Sequence, residues 1–209
     1  MNTLKESVEV VADPWKQSTY YDDAEKWTTI FWSEDHPFYP LFKRLDLTVV
    51  LELACGHGRH SEIVAERSGQ LTLMDVHEQN IEYCRTRLAR FQNTVFFTNS
   101  GHDFQPITDD ALTAIFCYDA MVHFSPDLVQ AYLRDTARVL KPGGMALYHH
   151  SNYPAPLDRH YGQNPHARNH MTESLFRQFS DEVSLALVES LPIEWGGVTD
   201  LDRLTLLRK

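Results

Sequence analysis

The twelve residues 49–60, VVLELACGHGRH, constrain the fold more than any other stretch of the chain. A short apolar run, β-branched at its start, ends on two closely spaced glycines, Gly56 and Gly58. It then passes directly into SEIVAERS, where Ile63 and Val64 fall at helical spacing. Strand, glycine turn and helix in that order open a parallel βαβ unit, and the turn lets backbone approach a ligand where a side chain would collide. The frame G-x-G-x-x-G of nicotinamide-binding folds is not met, because Ser61 stands at its third glycine. No Gly-Lys-Ser/Thr follows either, which removes a P-loop.

The same alternation continues downstream. LTLM (71–74) ends at Asp75, and residues 77–91 place Ile81, Cys84, Leu88 and Phe91 three or four apart. Residues 95–97 and 112–117 read as strands. Residues 126–140 read as a helix opened by Pro126 and stopped by Lys141-Pro142-Gly143-Gly144, and MALYHH (145–150) reads as a fifth strand. Strands separated by helices of this length predict a doubly wound α/β fold. After a helix at 172–179, the runs 183–191 and 201–207 flank Trp195-Gly196-Gly197 and predict an antiparallel pair. The expected sheet is seven-stranded and mostly parallel, with an antiparallel C-terminal strand.

At 209 residues and 43% hydrophobic, the chain predicts one domain over 1–209, with a helical N-terminal cap at 1–45. The net charge of −10 argues against a nucleic-acid partner. Three cysteines without close pairing argue against a disulfide scaffold or zinc knuckle. Neither a secretory apolar segment nor a membrane-length apolar run is present, so a cytoplasmic domain with no membrane partner is expected. Oligomeric state is left open. Residues 151–170, SNYPAPLDRHYGQNPHARNH, form a connection too long for a plain turn and predict a loop over the substrate. Arg159 and Arg168 are its candidates for binding an anionic group on the substrate.

ELACGHGR resembles the acidic-x-Gly-x-Gly-x-Gly motif of class I S-adenosylmethionine-dependent methyltransferases, with Ala54 where the first glycine is usual. The likeness extends from about residue 15 to the end. It includes LTLMD, NSGHDF (99–104), FCYDAMVHF (116–124) and RVLKPGG (138–144) in the family's order. The resemblance implies a Rossmann-like methyltransferase fold and S-adenosyl-L-methionine as cofactor. It implies that Glu52, Ala54, Gly56, Gly58, Arg59, Asp75 and Val76 bind the cofactor, with Ala54 beside its methionine arm and Asp75 at the ribose hydroxyls. It further places Gly101, His102 and Asp103 at the adenine and Tyr118 beside the fourth strand, and brings Tyr20 or Tyr21 down from the cap. A short chain without an added recognition domain favours a small-molecule acceptor, with oxygen or nitrogen as the receiving atom. A catalytically silent cofactor-binding protein is the alternative.

Ligands of open α/β sheets bind beyond the carboxyl ends of the strands. Asp119 and His123 follow the fourth strand there, and His149 and His150 close the fifth. Alternation along a strand predicts that one of His149 and His150 faces the crevice while the other packs beneath a helix. Two arrangements are open. Either a histidine is general base with Asp119 orienting it, titrating near the usual value of about 6.5 as shifted by its surroundings, or Asp119, His123 and a strand histidine hold a divalent metal.

Overall fold

Seven strands form one sheet in the order β3-β2-β1-β4-β5-β7-β6. They are β1 (Val49–Leu53), β2 (Gln70–Asp75), β3 (Thr94–Thr98), β4 (Leu112–Cys117), β5 (Leu140–Ser151), β6 (Ala186–Trp195) and β7 (Val198–Arg208). The computed structural model describes residues 3–156 and 159–209. The first five strands pair in parallel, and β7 runs antiparallel to both β5 and β6. The sheet is thus mostly parallel with one reversed strand, as the alternation of apolar runs and helices implied.

Because both faces are covered, successive residues of each central strand enter different cores. Val50, Leu71, Leu73, Ala114, Phe116 and Leu147 pack on one side, with α4 (Phe38–Phe42), α5 (Arg59–Ala65) and α6 (Glu78–Arg87). Leu51, Met74, Ile115, Cys117 and Tyr148 pack on the other, with α7 (Pro126–Val139) and α8 (Glu173–Glu182). The N-terminal cap is completed by α1 (Leu4–Ala12), α2 (Tyr20–Ala24) and α3 (Thr28–Phe31). Thr3 and Glu6 close a capping box at the start of α1, and Ser7 on its first turn donates to Asp127 of α7 at 2.5 Å.

Several boundaries differ from those the sequence suggests: β5 begins at Leu140, so Lys141-Pro142-Gly143-Gly144, expected to stop the preceding helix, lie within the strand. β6 starts later than its apolar run, and both β6 and β7 continue past their runs to meet at Gly196-Gly197, both with positive φ (56° and 79°). A two-residue turn of that kind matches strand twist, and Pro192 is accommodated because β6 is an edge strand. In its described residues the connection after β5 is structured rather than open. It carries short 3₁₀ turns at Tyr161–Gln163 and Pro165–Ala167 and a bridge between Tyr153 and His170. Leu157 and Asp158 of the expected 151–170 loop lie outside the described residues.

Candidate active site

A cavity opens beyond the carboxyl ends of β1, β2 and β4, walled by the cap on its outer side. At its floor the chain leaves β1 in an unusual conformation, with Ala54, Gly56 and Gly58 all at positive φ (55°, 53° and 77°). A Cβ on Gly56 would stand 2.9 Å from the Tyr21 ring, so glycine is required there by both torsion and space. Ala54 adopts the left-handed region with a side chain, at a cost of about 1–2 kcal/mol. Ala54→Gly is therefore expected to leave stability unchanged or raise it by up to about 1 kcal/mol, once the extra backbone freedom of glycine is counted. Thermal unfolding measures this, and a lower midpoint for the variant would contradict it.

Asp75, at the end of β2, is buried and set into this turn. Its Oδ2 accepts from the Gly56 amide at 2.9 Å; its Oδ1 accepts from the His77 amide at 2.9 Å and from Asn80 Nδ2 at 3.1 Å. Burial pushes its carboxyl up, while the two amides and Asn80 work against that. Tyr21 stacks on His57, which stacks on Tyr83, and its hydroxyl accepts from Asn80 at 3.1 Å. Glu52 is also buried, accepts from the Ser61 hydroxyl, and is pushed up to about 8 chiefly by burial. It is therefore largely neutral near pH 7. At the other end of the cavity, Val8, Val11, Val76, Phe124 and Leu128 make an apolar slot against Gly101. A Cβ on Gly101 would meet Val8 at 2.5 Å.

The third corner lies after β4. Asp119 sits at φ +59°, and its carboxylate accepts from the Tyr20 hydroxyl at 2.5 Å and from Arg59 at 2.9 Å. Arg59 also donates to the Ala24 carbonyl at 2.7 Å, so one guanidinium joins the cap to the sheet. Burial and the Asp119 charge raise the Tyr20 phenol well above its usual range, which keeps it a donor. His123 follows in a 3₁₀ turn, 4.5 Å from the Trp15 ring, with Nδ1 2.8 Å from the Ala167 carbonyl. That contact puts the ring proton on Nδ1. Among the described residues nothing bonds Nε2 of this cavity-lining histidine.

Of the residues anticipated from sequence, Tyr20, Glu52, Ala54, Gly56, Arg59, Asp75, Val76, Gly101, Tyr118, Asp119 and His123 line this one cavity. Gly58 stands outside the wall, against Cys84, and His102 and Asp103 pair with each other at 3.4 Å rather than facing inward. His150 is corrected to a core residue. It stacks on Phe176 at 3.8 Å, and both ring nitrogens are taken by the Ser151 carbonyl and the Thr205 hydroxyl. His149 points to the cavity side but lies behind Asp119; its Nδ1 receives the Asp119 amide and its Nε2 contacts Asp202, which leaves no nitrogen for a substrate. Arg168 is likewise corrected: it is buried against Asp202 and cannot reach an acceptor, whereas Arg159 is exposed on the loop. The metal arrangement does not form. Among the described residues no group of three His, Cys, Asp or Glu side chains converges, and the nitrogens of His149 are already committed.

Sequence reasoning did not single out Val8, Val11, Leu128 or His60 as cavity residues. The apolar ones carry only the signal of an amphipathic helix, which core packing also produces.

Residues 50–144 match a family model described as a methyltransferase domain. The demethylmenaquinone methyltransferase of Tropheryma whipplei is 29% identical over 143 residues, covering 60% of this chain and 58% of that protein. The ubiquinone biosynthesis O-methyltransferase of Idiomarina loihiensis is 29% identical over 154 residues, covering 65% and 60%. The chain thus spans less than two thirds of the length of these relatives. In fold, an S-adenosylmethionine-dependent methyltransferase from Aquifex aeolicus superposes with a TM-score of 0.66 at 14% identity, over 91% of this chain and 97% of that one. With this sheet order, this glycine turn and this match over residues 50–144, the chain carries a methyltransferase domain and has the fold of S-adenosylmethionine-dependent methyltransferases.

Proposed function

We propose that the protein transfers a methyl group from S-adenosylmethionine to a hydroxyl oxygen of a small molecule, with His123 as general base. The carrying observation is the His123 ring, which lines the cavity with Nδ1–H held by the Ala167 carbonyl and Nε2 unbonded among the described residues. Burial, then the nearby Arg168 charge, pull it down to about 4 against the opposing pull of that carbonyl. It is thus neutral at pH 7 and able to accept a proton.

The cavity fits the cofactor. The glycine cradle at Gly56 and Gly101 leaves room where a Cβ would collide, the apolar slot suits a purine, and Asp75 stands between them for the ribose. When bound, the sulfonium supplies an already activated methyl carbon. The residues of this chain then have three tasks. Tyr20 and Arg59, both held by Asp119, orient the methionine arm. The cap and the 159–170 loop exclude water, and His123 takes the hydroxyl proton as the oxygen attacks. A small-molecule oxygen acceptor agrees with the O-methyltransferase named above and with the chain's acidic charge. Arg159 is the remaining loop cation for an anionic acceptor.

Methyl-labelled cofactor, offered with a pool of small-molecule alcohols, phenols and carboxylic acids, tests this reading. Label should appear in an extractable small molecule and depend on His123. Binding without turnover would leave a silent cofactor-binding protein instead. Asp75→Ala is expected to weaken cofactor binding by about 1.5–3 kcal/mol, the range for hydrogen bonds to a charged group. Calorimetry on a variant shown to be folded measures it, and unchanged affinity would remove Asp75 from the ribose.

A further inference from the structure

Behind the cavity wall lies a group of charged side chains that the transfer itself does not use. Asp202 of β7 is fully buried, diagonal to His149 across the β5–β7 pair, where His149 stands opposite Leu204. Its Oδ2 lies 3.1 Å from His149 Nε2. Arg168 donates to both of its oxygens, from Nε at 2.9 and 3.1 Å and from Nη2 at 2.6 Å. The guanidinium also donates to the His166 carbonyl at 3.0 Å and lies over the Trp195 ring at 4.9 Å. On the opposite edge of the imidazole, Nδ1 accepts the Asp119 amide at 3.1 Å.

These contacts admit one protonation pattern. An imidazole that accepts at Nδ1 carries its proton on Nε2, where the Asp202 carboxylate accepts it. The tautomer and ring orientation are therefore set by Asp202, and Asp202 is held in place by a two-pronged arginine. The residue at the far end needs the help. Asp119 is a non-glycine residue at φ +59°, a conformation that persists only when its surroundings hold it. The His149 bond to its amide is one such restraint; the Tyr20 and Arg59 bonds to its carboxylate are the others.

We infer that Asp202, clamped by Arg168, is a positioning residue for methyl transfer: it fixes the Nε2–H tautomer of His149, which pins the Asp119 turn that sets Tyr20 and Arg59 at the transfer end of the cavity. The catalytic part of this inference rests on the function proposed above. A buried ion pair seldom adds stability over an apolar replacement of equal volume, so its worth here lies in orientation. The relay also links the two covers of the site, since Arg168 belongs to the loop after β5 and Tyr20 to the N-terminal cap.

Nitrogen-15 NMR of histidine-labelled protein tests the relay directly, without any acceptor. In the wild type, with and without S-adenosylhomocysteine, His149 should carry its proton on Nε2 alone, and the Asp119 amide should exchange slowly with solvent. Asp202→Asn replaces one accepting oxygen with a donor, so Arg168 and His149 cannot both be satisfied. Exchange at Asp119 should then accelerate at least about tenfold. The rate constant kcat should fall about 10–100-fold, as when partners that orient a functional histidine are removed, with a smaller loss of S-adenosylhomocysteine affinity and acceptor KM at the wild-type value. A wild-type His149 protonated on Nδ1, or on both nitrogens, overturns the inference even if the variant fails to fold. So does a folded Asp202→Asn with unchanged amide exchange and kcat. Failure of the proposed reaction would show separately, as absent turnover in the wild type.

Discussion

Replacing His123 with alanine is expected to slow methyl transfer about 10²–10⁴-fold, the usual worth of a positioned general base. Cofactor affinity should hold, because the proposed base acts on the acceptor's proton and not on the cofactor. The pH profile is equally diagnostic. Its buried setting holds the His123 pKa at about 4, below the usual histidine value of about 6.5. Only the neutral ring accepts a proton, so the wild-type rate should be level through neutral pH and fall as the pH drops through about 4. A rate–pH profile inflecting near 6.5, or near-normal turnover in His123→Ala, would assign the proton to another group.

Arg168→Ala should have the largest effect on stability. The substitution leaves Asp202 buried without its guanidinium, and breaking a buried pair in this way costs about 3–5 kcal/mol. For a chain of this length that corresponds to a fall in Tm of roughly 6–20 °C. Burial alone would raise the Asp202 carboxyl, but the hydrogen bonds from His149 and Arg168 and the Arg168 charge outweigh it and hold the group at about 2. A folded pKa below the unfolded value of about 3.9 means the stabilisation is complete above that pH and is lost as pH falls through about 2. Calorimetric scans of both proteins from neutral to acid pH measure this. Wild-type stability in Arg168→Ala would show that the pair contributes nothing.

The sheet was legible because each buried strand announces itself as a short apolar run and each connection is punctuated by glycine or proline. VVLEL, LTLM and MALYHH needed no tertiary information. The glycine turn was legible for the same reason: few local arrangements place Gly56 and Gly58 directly after a strand. The charged residues were harder to assign. Arg168 reads in the sequence like a solvated loop cation, and nothing local reveals that Asp202, 34 residues later, will lie beneath it. His149 and His150 are adjacent and identical, so the sequence could say that they face opposite sides but not which one. Strand registry decides that, pairing His149 with Leu204 and leaving His150 beside Phe176. The walls contributed by α1 and by Trp15 depend on how the cap folds back over the sheet, a long-range event without a periodic signature.

The strand order also has a consequence for how the chain assembles. β6 has one neighbour in the sheet, β7, which is made after it and comes to lie between β6 and β5. While a nascent chain still lacks β7, β6 has no place in the sheet and β5 presents a bare row of amides and carbonyls, the kind of edge that recruits strands from other molecules. The two-residue Gly196-Gly197 turn favours a β6–β7 hairpin that forms locally and docks as a unit. Chains interrupted within β7 should therefore be prone to self-association. The docking that closes the β5 edge also delivers Asp202 to His149.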